Sequence, residues 1–110
     1  MKVKDIVGKM ELKVLCCEDK LEKEIEGVYC CDLLSWVMSH AKKNSAWITV
    51  LVHPNIIAVA QLLELSCIII PEDIPVEEVT LSKAVQENMP VLQSRKTSYE
   101  ICKALSSLGI

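Results

Sequence analysis

The stretch that decides the fold is AWITVLVHPNIIAVAQLLELSCIII, residues 46–70. It opens with AWITVLV (46–52), an apolar run rich in β-branched residues, which reads as a buried strand. His53-Pro54-Asn55 interrupts it. Proline fits the first turn of a helix, where its missing N–H leaves no bond unmade. NIIAVAQLLEL (55–65) then holds only three polar residues, Asn55, Gln61 and Glu64. CIII (67–70) reads as a second buried strand, stopped by PEDIP. A strand, a helix and a strand in so few residues predict one right-handed parallel crossover.

The pattern continues outward. Glu77 and Glu78 stand in the first turn of a helix expected to end near Asn88, where acids suit the positive end. MPVLQS (89–94) reads as the last strand. TSYE (97–100) has capping-box spacing, and Ile101, Ala104, Leu105 and Leu108 form one apolar stripe before Gly109. Upstream, Val3, Ile6, Val7 and Met10 fall at helical spacing. ELKVLCC (11–17) and IEGVYCC (25–31) read as strands, with Gly27 as a candidate bulge. Asp32 stands where an N-cap oxygen is expected for LLSWVMSHA. The fold class that follows is α/β, with a mostly parallel sheet and helices on both faces, a three-layer α/β/α arrangement. At 110 residues, with no linker or repeat, the chain reads as a single domain, 1–110.

Composition removes several classes of function. A net charge of −3 provides no attraction to nucleic acid or anionic lipid. The N-terminal residues mix apolar side chains with charges, unlike a secretory leader, and no apolar run is long enough to span a bilayer. The expected compartment is the cytoplasm. The six cysteines, 16, 17, 30, 31, 67 and 102, then read as small buried hydrophobes in a reducing environment. Neither vicinal pair has Cys-x-x-Cys spacing, although Cys16 or Cys17 clustering with Cys30 or Cys31 would assemble a metal site. No Gly-x-x-x-x-Gly-Lys-Ser/Thr loop is present, and neither His40 nor His53 is tied by pattern to a nucleophile. No cofactor and no metal is expected, and the chain does not read as an enzyme.

Two features remain. A mean hydropathy of +0.31 is high for a small protein, and helix 55–65 is apolar nearly all round. A helix covering a sheet needs only one apolar face. The second face needs a cover, either the same helix of a second copy or the N-terminal segment of this chain. The dimer reading uses Ile56, Val59, Ala60 and Leu63. The His53-Pro54-Asn55 corner lies at the carboxyl end of a strand, where open α/β sheets bind ligands. A helix start favours an anion there, with donors from His53 and Asn55. Thr49, Asp32 and Ser35 are the other candidate lining residues. The competing reading is turn chemistry alone.

GVYCCDLLSWVMSHAK (27–42), residues 46–70 and ENMPVLQSRKTSYEICKAL (87–105) together resemble a DRTGG domain over nearly the whole chain. Similar domains occur beside CBS domains in some inorganic pyrophosphatases and within phosphotransacetylases, and the N-terminal domain of HPr kinase/phosphorylase is related. The resemblance implies an HPr kinase N-terminal-domain-like fold and a regulatory or subunit-assembling role, with the chemistry carried by other domains. The motif that names the family falls at about 52–56. Here those residues are Val52-His53-Pro54-Asn55-Ile56, so the motif is absent. The implied function is a non-enzymatic, ligand-sensing homodimer that binds a nucleotide or other small anion. The alternative is a structural adaptor docking onto a larger complex.

Overall fold

A computed structural model describes all of residues 1–110. Its order is α1 (Val3–Met10), β1 (Lys13–Cys16), β2 (Gly27–Cys30), α2 (Leu34–His40), β3 (Ser45–Ile48), α3 (Asn55–Leu62), β4 (Cys67–Ile70), α4 (Glu78–Gln86), β5 (Val91–Gln93) and α5 (Ser98–Ser107). The five strands form one sheet in the order β1-β5-β4-β3-β2. Strands β2 to β5 are parallel, and β1 pairs antiparallel with β5. The chain is therefore α/β with a mostly parallel sheet, as residues 46–70 predict.

Alternation along the strands divides the core. Trp47, Ile68, Ile70 and Val91 join Val37 of α2, Ile56, Ile57, Val59 and Ala60 of α3, and Ala84 of α4. Ala46, Ile48, Cys67, Ile69 and Leu92 join Val3 and Ile6 of α1 and Ile101 and Leu105 of α5. β3 and β4 are buried at every position, which is why they read as unbroken apolar runs rather than alternating ones.

The parallel strands advance across the sheet in sequence order, and each crossover from β2 to β5 carries its helix into the first of these clusters. α3 is the middle of the three and touches both α2 and α4. That explains the composition of helix 55–65. The sheet and its two neighbouring helices cover three of its sides, and only the outer side meets solvent. Ile56, Val59 and Ala60, expected to meet a second copy, are buried in this chain's own core, and Leu63 is partly buried against it. The outer side presents Asn55, Ala58, Gln61 and Leu62. The N-terminal helix does not supply the cover, because it packs into the other cluster.

Three local expectations are corrected. Gly27 is not a bulge: the β2–β3 register is continuous, and the irregularity lies between Val14 and Cys16 on β1. β3 ends at Ile48 rather than Val52: the Thr49 amide still reaches the Ile69 carbonyl of β4 at 3.2 Å, but the Val50 amide turns to a side chain instead of a strand. Asp32 does not cap α2. Leu33 holds the cap position without a side-chain bond, and the Asp32 carboxylate is engaged elsewhere. The capping box at Thr97 and Glu100 is formed, and Gly109 follows α5 at φ 87°.

Candidate functional site

The loops after β2 and β3 leave adjacent parallel strands at the same end, so Asp32 and Thr49 come together. The buried Trp47 fixes the first loop, its Nε1–H donating to the Cys31 carbonyl at 2.9 Å. Asp32 Oδ1 then accepts from Thr49 Oγ1 at 2.8 Å and from the Val50 amide at 2.9 Å. Thr49 Oγ1 in turn accepts from the Leu51 amide at 3.1 Å. From the far side, Thr80 of α4 donates through Oγ1 to the Val52 carbonyl at 2.7 Å. Residues 49–52 are thus held from both sides by side chains.

The start of α3 is also closed. The Asn55 amide donates to His53 Nδ1 at 3.2 Å, Ile56 to the His53 carbonyl at 3.0 Å and Ile57 to the Pro54 carbonyl at 3.0 Å. Three amides expected to be free for an anion are therefore engaged within the chain. Because His53 accepts at Nδ1, its proton lies on Nε2, leaving one outward donor. Asp32 keeps Oδ2 outside this network. Ser35, exposed on the first turn of α2, takes no part in it. The structure thus brings together Asp32 with Thr49 and His53 with Asn55, and leaves Ser35 apart.

Sequence reasoning missed the shape of this surface. Leu34, Met38, Asn55, Ala58, Val59 and Leu62 line a groove of about 330 Å3 between α2 and α3. On the side of α2 away from Leu34 and Met38, Trp36 stacks on His40, ring centroids 4.0 Å apart. Trp36 and Leu62 remain 51% and 66% exposed, and no charged residue occurs between Asp32 and Lys42 or between Lys43 and Glu64. The four-residue spacing of Trp36 and His40 was the available signal. It was masked because a tryptophan in an apolar helix reads first as core.

The two vicinal cysteine pairs do not converge. β1 and β2 are opposite edges of the sheet, so Cys16-Cys17 and Cys30-Cys31 stand four strand spacings apart, roughly 19 Å. Burial pushes the Cys16 and Cys67 thiols up to about 12. Burial, and then the neighbouring Cys102, pushes Cys30 up to about 11. Such thiols stay protonated at neutral pH and are poor nucleophiles. Half-burial lowers the Lys23 amine, which donates to the Asn88 carbonyl at 3.0 Å. No helix is long and apolar enough to cross a membrane.

No protein-family model matches the chain, and no curated protein matches it. Among solved structures it is similar to the CBS and DRTGG domains of the regulatory region of Clostridium perfringens pyrophosphatase, complexed with the activator diadenosine tetraphosphate. The TM-score is 0.70 at 13% identity, covering 93% of this chain and 44% of that one. The likeness is one of fold. The chain spans less than half the length of that structure.

Proposed function

We propose that this chain is a non-enzymatic, ligand-sensing regulatory domain of the DRTGG type that acts in the cytoplasm as a homodimer. The observation that carries this reading is the fold likeness over 93% of the chain to a regulatory region bound to an activator nucleotide. We take the matched part to be the DRTGG portion and residues 1–110 as one domain. We take the two core clusters as a three-layer α/β/α arrangement like that of the HPr kinase N-terminal domain. The ligand in this reading is a nucleotide or other small anion at the rim formed by Asp32, His53 and Asn55, backed by the buried Thr49, with Ser35 standing apart from it. With the α3 amides engaged, His53 Nε2–H and the Asn55 side chain are the donors left for it. Asp32 Oδ2 suits a ribose hydroxyl or an amino group better than a phosphate.

The dimer uses the outer faces of α2 and α3. Leu62, 66% exposed, lines the groove with Ala58 and Val59, so two copies related by a two-fold axis would each place a Leu62 against the other's groove. Asn55 lines that groove, which puts the ligand rim at the edge of the contact and lets binding bias assembly. The test is calorimetric titration of nucleotides and small phosphorylated metabolites, with dimer dissociation followed by sedimentation. The expected result is saturable binding that His53→Ala with Asn55→Leu weakens about tenfold or more. Equal binding by the double variant, or none by the wild type, would sink the ligand assignment. One observation favours the adaptor alternative. Val79 and Val85 of α4 are 58% and 56% exposed, and Val85 lines a groove with Leu15, Cys16 and Leu81, an apolar surface that this dimer leaves uncovered.

A further inference from the structure

We propose that the cleft between the β4–α4 loop, the end of β5 and the start of β1 binds a small zwitterion, a free α-amino acid or a dipeptide. Topology makes this the crevice of the sheet. A ligand crevice forms where neighbouring parallel strands send their following segments to opposite faces. At β2 and β3 both following helices pack into the same cluster, so the sheet has no such switch point beside His53. At β4 and β5 the chain divides: α4 joins one cluster and α5 the other. The loops that part there line a cavity of about 630 Å3, within the range of small-molecule sites.

The lining selects the ligand. It holds two cations, Lys13 and Arg95, two carboxylates, Glu11 and Asp73, the polar side chains of Gln93 and Ser94, and Pro75 as its one apolar side chain. An apolar ligand finds only Pro75 to pack against, and a nucleobase finds no aromatic ring to stack on. A polyphosphate meets two carboxylates. A molecule with one ammonium and one carboxylate matches both signs at once. Arg95 is the only arginine of the chain. Its Nε stands 3.6 Å from Asp73 Oδ2 and its side chain is 91% exposed, a weak surface pairing. Its terminal nitrogens are free for a bidentate grip on a carboxylate. Glu11 sits at the carboxyl end of α1, where the helix dipole also favours an ammonium group.

The frame is pre-organised. The Asp73 amide donates to the Ser94 carbonyl at 2.9 Å and the Glu72 amide to the Lys96 carbonyl at 3.0 Å. Gln93 Nε2 donates to the Ile74 carbonyl at 2.8 Å, and Ser94 Oγ accepts from the Lys96 amide at 3.0 Å. These bonds hold Glu72 and Asp73 at φ 57° and 51°, left-handed values that residues with a β-carbon avoid. Gln93 Oε1 and the Ser94 hydroxyl hydrogen are left to face a ligand.

The experiment is an amide-resolved NMR titration of the whole chain with the L-amino acids and a panel of dipeptides, up to about 10 mM, a range that reaches weak small-ligand affinities. At least one zwitterion should shift Lys13, Asp73, Ser94 and Arg95 saturably. Free amino acids and dipeptides are separate arms, so the better class is read directly. The N-acetylated and the amidated forms of the best ligand should each bind about tenfold or more weakly. Arg95→Ala, at an exposed position, should do the same. No shift at these residues across the panel, equal binding of the N-acetylated form, or tighter binding of a nucleotide in this cleft would overturn the assignment. Residues 49–55 lie outside the cleft and report separately on the regulatory reading.

Discussion

Asp32 is where two accounts of one residue separate in a measurement. If it served as a helix cap, Asp32→Ser would be nearly silent, because serine caps as well as aspartate. In the structure its carboxylate instead spans to Thr49 and Val50 at 2.8 and 2.9 Å. Thr49 is 1% exposed, so losing its acceptor strands a buried hydroxyl, at about 1–3 kcal/mol. Val50 is exposed, and water can replace the carboxylate there at small cost. The expected loss for Asp32→Ala is about 2 kcal/mol. A 110-residue domain unfolds with an entropy near 0.23 kcal/mol/K, so this corresponds to a Tm lower by about 9 °C. Serine, one atom shorter, should lose nearly as much as alanine. Asp32→Asn, which keeps Oδ1 as an acceptor, should recover roughly half. Urea unfolding with thermal melts of the three variants checks the order. A serine variant within about 0.5 kcal/mol of wild type would restore the cap reading and refute the loop-pinning one.

Leu62→Asp should yield folded monomers in sedimentation while Val59→Asp unfolds the chain, because Leu62 is 66% and Val59 only 7% exposed; wild type that is already monomeric would remove the dimer. The Cys16 and Cys67 thiols, raised to about 12 from an ordinary 9, bind more protons folded than unfolded between those values. Stability should therefore be full below pH 9 and fall by about 1.4 kcal/mol per pH unit per thiol above it. Cys67→Ala should flatten that alkaline limb of a urea-midpoint profile; an unchanged slope counts against the assignment. Thr97→Ala, which removes the cap bond to the Glu100 amide at 3.2 Å, should lower stability by about 1 kcal/mol in the same assay.

Much of this fold was legible because its signals are local. Two fully buried strands flanking a helix need unbroken β-branched runs around a proline-started segment, and residues 46–70 contain that pattern. The capping box at Thr97 and Glu100 was equally plain, since its two bonds close within four residues. What the sequence misjudged depends on how neighbours are arranged across the sheet. Helix 55–65 is greasy because α2 and α4 flank it, a relation set by strand order. The vicinal cysteines end at opposite sheet edges for the same reason. Asp32 has a cap's position in the sequence, but the parallel pairing of β2 and β3 offers it Thr49 and Val50 instead. The cleft of Glu11, Lys13, Asp73, Gln93 and Arg95 gathers residues from three segments up to 84 positions apart. Local propensity fixed the elements; the order in which the strands pair decided which side chains meet.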